Sequence, residues 1–180
     1  MRKQAFGPCQ ASVIGLGTGE FGGRCPEIKA REFMDAYIAT GGNFIDTARV
    51  YGDFKTPKNG ESEKVIGHWM ADRHNRDSLF LSTKGGHPPL RRMRESRLSR
   101  EDVRADMAES LNDLQTDHVE IYWLHRDDPN RPVGGIMETL QSLIEDGSTR
   151  MIGVSNWRPA RIREANAYAR AHGLTALVAN

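Results

Sequence analysis

The chain has 180 residues, 38% hydrophobic and 27% charged, enough apolar content to bury a core within the usual length of one domain. Its 25 basic and 24 acidic residues leave a formal net charge of +1, so no overall field draws it to nucleic acid or to an anionic membrane, and a small-molecule ligand is expected. Two cysteines, Cys9 and Cys25, are too few for a disulfide framework, and no apolar run has signal-peptide character or reaches the ~20 residues that span a bilayer, so a cytoplasmic protein with reduced thiols is expected.

Short strand-like apolar runs alternate with longer helical ones. A first strand is predicted over residues 12–17. Pro26 then suits the first turn of a helix on which Ala30, Phe33, Met34 and Tyr37 recur at helical spacing, and Gly41-Gly42 ends it. A second strand covers residues 43–47. After a polar loop, Ser62 opens a helix with Val65, Ile66, Trp69 and Met70 on one face, and residues 79–83 form a third strand. The segment Ser99-Arg100-Glu101-Asp102 has the form of a capping box ahead of Val103, Met107, Leu111 and Leu114. A fourth strand spans residues 119–124, and Ile136, Leu140, Leu143 and Ile144 mark a helix closed by Gly147. Residues 150–154 form a fifth strand. Pro159 opens a helix through Ile162, Ala165 and Ala169 that stops at Gly173, and a sixth strand is predicted over residues 175–179. Such alternation implies right-handed crossovers and a parallel sheet with helices outside it, in a single domain spanning residues 1–180.

Two parallel architectures compete. Gly17-Thr18-Gly19-Glu20-Phe21-Gly22 satisfies a dinucleotide fingerprint after a strand, with Asp46 at a suitable distance for a ribose contact. However, Gly22 leads into Gly23-Arg24-Cys25-Pro26, which delays the helix that should open on a pyrophosphate. In a (β/α)₈ barrel, chemistry comes from the carboxyl ends of several strands. Asp46, Lys84, His125 and the pair Ser155-Asn156 each stand at such an end.

Gly15-Leu16-Gly17-Thr18, Asp46-Thr47-Ala48 with Tyr51-Gly52, Ser62-Glu63 with Gly67, Ser82-Thr83-Lys84, Leu124-His125 and Gly153-Val154-Ser155-Asn156 occur in an order and spacing that resemble the aldo-keto reductase family. The resemblance runs over almost the whole chain. It implies a parallel (β/α)₈ TIM-type barrel of α/β class, of which this chain holds about five and a half β/α units, and metal-free reduction of aldehydes or ketones with NADPH or, less often, NADH. By the same resemblance Asp46, Tyr51, Lys84 and His125 form the catalytic set. Ser155 and Asn156 bind the nicotinamide carboxamide, and Thr18 is a candidate for lining the nicotinamide end.

Hydride arriving at a carbonyl carbon leaves negative charge on oxygen, so the site needs a proton donor and positive potential aimed there. Tyr51 suits the donor role. A free phenol titrates near ~10, and an ammonium from Lys84 favours its ionised form. Asp46 keeps Lys84 charged and in place, while His125 donates a ring N–H to the carbonyl oxygen. A metal site built from Asp46, His125 and Asp127 is a weaker alternative, because no second histidine stands at a strand end. Five arginines among residues 91–100 read as a solvated loop or as a grip for an anionic substrate group. His87-Pro88-Pro89-Leu90 and Trp157 are candidates for shaping the pocket, and residues 53–59 resemble the family's variable loop.

A complete barrel takes about 250 residues. The chain is thus expected to represent the amino-terminal part of a carbonyl reductase, with a small-molecule carbonyl substrate as its partner and neither nucleic acid nor membrane. The alternative is a non-catalytic barrel fragment that associates with another chain through open sheet edges.

Overall fold

The computed structural model describes residues 1–53 and 60–180; residues 54–59 of the expected variable loop lie outside the described residues. A two-stranded antiparallel hairpin, β1 (Lys3–Phe6) and β2 (Cys9–Ser12), precedes a five-stranded sheet of β3 (Leu16–Gly17), β4 (Phe44–Asp46), β5 (Phe80–Gly85), β6 (Val119–Leu124) and β7 (Thr149–Val154). The five strands run parallel and lie side by side in chain order. Helices α1 (Glu27–Ala39), α2 (Glu61–Arg73), α3 (Arg100–Leu114), α4 (Val133–Glu145) and α5 (Pro159–Ala171) follow β3 to β7 in turn. Strand order never reverses, so the sheet lacks the switch point of a dinucleotide fold. Gly22 instead donates its N–H to Cys25 O at 2.9 Å in a turn, and no helix begins until Glu27. The arrangement is an arc of a (β/α) barrel, with β3 and β7 unpaired to each other.

Side chains alternate along each strand, which sorts them between two faces. Ile45, Leu81, Tyr122, Leu124, Ile152 and Val154 point outward and pack with Met34, Ile66, Met107, Ile136, Leu140 and Ala165 of the helices in the main core. Phe80, Ile121 and Met151 point inward, where Ala11, Phe6 and Cys9 of the hairpin and Phe44 cover them in a second cluster. The hairpin thus seals the amino-terminal end of the sheet. Asn43 fastens it there, accepting from Ser12 N at 2.8 Å and donating to Gln10 O at 2.9 Å.

Several boundaries differ from expectation for local reasons. The first predicted strand divides, because residues 9–12 turn back to pair with β1 and only Leu16–Gly17 joins the parallel sheet. Pro26 is the residue before α1 rather than within its first turn. Phe33 is 56% exposed, and Ala30 and Met34 form the buried stripe of α1. Ser99 accepts from Asp102 N at 3.0 Å, but the Asp102 carboxylate returns to the Ser99 hydroxyl at 2.5 Å, so the reciprocal half of a capping box is not made. Ser62 lies inside the first turn of α2, whose cap is Gly60, and is buried. Residues 175–179 run beside β7 through Val178 N to Ile152 O at 3.0 Å and Val154 N to Ala179 O at 3.2 Å, yet form no regular strand.

Helices α2 and α3 approach most closely at Gly67, where a Cβ would stand 2.2 Å from the Asp113 carbonyl oxygen and 3.0 Å from Leu114 C. Both are backbone atoms of α3, which cannot swing aside as a side chain can. Gly67→Ala is therefore expected to lower stability by about 1–3 kcal/mol despite alanine's better helix propensity, read as a lower urea midpoint at unchanged slope.

Candidate active site

Lys84 occupies the inner face near the carboxyl end of β5 and is 8% exposed. Its Nζ donates to Asp46 Oδ2 at 2.6 Å and to the Thr47 carbonyl at 2.8 Å. Ser82, two residues earlier on the same face, donates its hydroxyl to the other carboxylate oxygen, Asp46 Oδ1, at 2.6 Å. Asp46 pairs with Ser82 in the strand register, which sets it diagonally from Lys84 on the adjacent strand. The ammonium is thus neutralised and fixed in direction by charge-assisted bonds.

Tyr51 follows β4 on a tight turn. Its N–H donates to Ala48 O at 2.9 Å and its carbonyl accepts from Ser62 N at 3.2 Å. Arg49 N donates to the Lys84 carbonyl at 2.9 Å, so the turn is fastened to the strand carrying the lysine. As a result Lys84 Nζ stands 4.6 Å from the centroid of the Tyr51 ring. The His125 ring meets the same phenol edge to face, with centroids 5.7 Å apart and planes at 80°.

His125 is set at the end of β6 by its own N–H, which donates to Gly85 O at 2.8 Å. Burial, together with the neighbouring His87, Lys84 and Arg126, holds its imidazole down at about 3, so the ring is neutral at physiological pH and offers one N–H. Its Nδ1 is buried without a hydrogen-bond partner. The His87 ring lies 4.8 Å away, centroid to centroid, and its Nδ1 must carry a proton because it faces the Pro88 carbonyl at 2.6 Å.

Ser155 and Asn156 follow β7 on the same rim. Asn156 adopts a left-handed conformation at φ 64°, and its Nδ2 donates to the His125 carbonyl and to Ser155 Oγ, both at 3.0 Å. The carbonyl partner fixes which end of the amide is nitrogen. The pair consequently leaves one hydroxyl donor, Ser155 O–H, and one amide acceptor, Asn156 Oδ1, without a partner among the described residues. That combination matches the acceptor and donor of a carboxamide.

Thr18 is placed differently from expectation. It is 0% exposed, its hydroxyl donates to Asp46 O at 3.0 Å, and Ser62 Oγ lies 2.9 Å from both its carbonyl and its hydroxyl oxygen. It is fully buried and braces the backbone of Asp46. Asp127 pairs with Arg161 at 3.3 Å, and among the described residues no group of three or more His, Cys, Asp or Glu is arranged to hold a metal ion. Trp157 is buried, donates from Nε1 to Arg126 O at 3.2 Å and receives the Arg161 guanidinium over its ring. Within the arginine-rich loop, Arg97 pairs with Asp102 at 3.1 Å and with Asp106, while Arg92 pairs with Glu95 at 2.9 Å.

The site thus gathers Asp46, Tyr51, Lys84 and His125 in one cluster at the carboxyl ends of adjacent strands, with Ser155 and Asn156 beside them. Ser82 entered the sequence reading only within the Ser82-Thr83-Lys84 motif and without a role, although the two-residue alternation from Lys84 places it on the same face. The chain matches the Aldo/keto reductase family over residues 13–180. It belongs to the aldo-keto reductase family. Similar curated proteins include norsolorinic acid reductase of Aspergillus flavus, 33% identical over 92% of this chain and 45% of the relative. The aldo-keto reductase ausK of Aspergillus calidoustus is 33% identical over 93% of this chain and 43% of its own length. An aryl-alcohol dehydrogenase of Pestalotiopsis microspora is 34% identical over 84% and 39%. The chain therefore spans less than half the length of these relatives.

The depressed basicity of His125 has a consequence for stability. The unfolded ring titrates near 6.5 and the folded one at about 3, so between these values the unfolded chain binds more protons and stability falls as pH falls. His87 is shifted in the same direction, chiefly by burial. His125→Gln is expected to make the thermal midpoint fall less between about pH 6.5 and 4.5 than it does in the parent. A decline as steep as in the parent would show that the folded ring takes up its proton as freely as the unfolded one.

Proposed function

We propose that the protein carrying this chain reduces aldehydes or ketones to alcohols with a nicotinamide dinucleotide, NADPH in the first instance and NADH as the alternative, and that Tyr51 donates the proton. The observation that carries this reading is the Lys84 ammonium, held by Asp46 2.6 Å away and standing 4.6 Å from the Tyr51 ring centroid. The residues fit the cofactor's reactive end, because Ser155 and Asn156 present the donor and acceptor that a nicotinamide carboxamide requires. When bound there, NADPH supplies the hydride.

Negative charge then develops on the substrate oxygen. The neutral His125 N–H orients that oxygen, and Tyr51 transfers its phenolic proton to it as the carbon–hydride bond forms. Lys84 stabilises the phenolate left behind until solvent restores its proton. Asp46 serves by keeping the ammonium charged and pointed at the phenol. Thr18 supports Asp46 from within the protein rather than touching the cofactor.

An aryl carbonyl compound is the substrate class this reading favours. Trp123 stands level with Lys84 on the inner face, its indole carbons close over Gly153, and its Nε1 is unpartnered. The half-buried ring offers a stacking surface to an aryl group, while its N–H is buried. The names of the norsolorinic acid reductase and aryl-alcohol dehydrogenase relatives agree with that choice. Association through an open β7 edge draws less support, since Val178 and Ala179 already hydrogen-bond along it.

Tyr51→Phe in the full-length protein is expected to lower kcat/KM for an aryl aldehyde at least about 100-fold while the cofactor dissociation constant changes less than about twofold. Undiminished turnover would remove Tyr51 as the acid. Ser155→Ala is expected to weaken cofactor binding roughly tenfold, the loss of one hydrogen bond, in a fluorescence titration.

A further inference from the structure

On the outer face of the sheet, directly behind the catalytic candidates, lies a carboxylate with no part in the chemistry above. Glu63, on the first turn of α2, is 0% exposed. Its Oε1 accepts from Thr83 Oγ1 at 2.5 Å, and its Oε2 stands 3.2 Å from Arg49 Nη1. Thr83 immediately precedes Lys84 and, by strand alternation, points to the opposite face. Arg49 lies two residues before Tyr51 on the same turn, and its own N–H donates to the Lys84 carbonyl at 2.9 Å. One carboxylate therefore touches both the strand that bears the lysine and the turn that bears the tyrosine.

We infer that Glu63 is a positioning residue that sets the separation of Tyr51 and Lys84, each of its two oxygens holding one of the two backbone segments. The inference rests on the reading of Tyr51 as proton donor for its catalytic consequence, though not for the link itself. Arg49 carries the link from Glu63 to the Tyr51 turn. Its remaining N–H groups donate to Glu109 Oε2 at 3.0 and 2.8 Å and to Asp113 Oδ2 at 2.8 Å, so one guanidinium gathers a carboxylate from α2 and two from α3. With its side chain only 14% exposed, Arg49 clamps the Tyr51 turn against both helices.

A buried carboxylate is a costly way to fill space, and an apolar side chain serves packing alone at least as well. Burial pushes Glu63 up to about 7, against the opposing pull of Thr83, Ser110 and Arg49. Its charge depends on the bonds that make it a link. The fork geometry of Arg49 adds direction, because a guanidinium bonded on three sides holds its main chain in one orientation.

The test uses the full-length protein labelled with [13Cζ]tyrosine, the Tyr51 resonance being assigned by its loss in Tyr51→Phe. Glu63→Gln keeps the size of the side chain and an acceptor for Thr83 but removes the charge facing Arg49. It is expected to shift and broaden the Tyr51 resonance and to lower kcat roughly 10- to 100-fold, with the KM for cofactor unchanged. In a Tyr51→Phe background the same change is expected to cost less than about threefold further, because the two residues act as one unit. Thr83→Val, which leaves the ion pair and the core intact, provides a second variant in case Glu63→Gln fails to fold, and moves the same resonance to a smaller degree. A Tyr51 resonance unmoved in the folded variant, or a kcat loss fully additive with Tyr51→Phe, overturns the inference. If Tyr51→Phe keeps full activity while Glu63→Gln still moves the resonance, the proton-donor reading falls and the link stands.

Discussion

An ammonium ion set below the rim of a parallel sheet has to be neutralised where it stands, and most of this site follows from how that is done for Lys84. Only 8% of the residue remains exposed, so water solvates the charge poorly and protein groups must take its place. Asp46 supplies the countercharge from the neighbouring strand, and the Thr47 carbonyl accepts a second hydrogen bond from the ammonium. Ser82 then satisfies the carboxylate oxygen that Lys84 leaves free. The result is a closed set of donors and acceptors between two adjacent strands. The same cation bears on its neighbours. It faces the Tyr51 ring, and it adds to burial and His87 in keeping the His125 imidazole uncharged. A neutral imidazole beside an ammonium is electrostatically compatible; two cations in that space would repel one another.

The position of that cation was legible in the sequence because it depends on period-two patterning. Three apolar runs ending in Asp46, Lys84 and His125 fix strands, and parallel strands joined by helices bring their carboxyl ends together. Tyr51 was legible only through the resemblance to aldo-keto reductases, since nothing in the periodicity of residues 47–52 reveals a turn folded back toward the sheet. Thr18 shows the opposite case. A polar residue after a strand suggests an exposed rim, but three hydroxyls, of Thr18, Thr47 and Ser62, satisfy one another in the interior, and no single-residue pattern encodes such a cluster.

The amino-terminal hairpin escaped notice for a related reason. Lys3, Gln4 and Ala5 are exposed and carry no apolar alternation, so β1 forms because β2 is held by Asn43 and offers its backbone for pairing, not because its side chains demand burial. Phe33 went the other way. It recurs at helical spacing with Ala30 and Tyr37, yet the buried stripe of α1 is only two residues wide, and Tyr37 is drawn to its margin by the Ile14 carbonyl 2.7 Å from its hydroxyl.

Glu63 was legible in a form that chemistry discourages reading. Glu63, Ile66, Gly67 and Met70 fall at i, i+3, i+4 and i+7, one stripe of α2, but a carboxylate within an apolar stripe is usually assigned to solvent. Its burial makes sense only from strand β5, whose successive residues serve opposite faces: Ser82 and Lys84 look inward to Asp46, while Thr83 looks outward to Glu63. A strand buried on both faces can thus carry reacting groups on one side and their restraints on the other, a residue apart. In a parallel sheet the helix packed outside each strand is the natural source of those restraints. On this view the apolar contacts of α2 and α3 fix where the helices lie, and the ion pairs of Arg49 transmit that placement through the sheet edge to the Tyr51 turn.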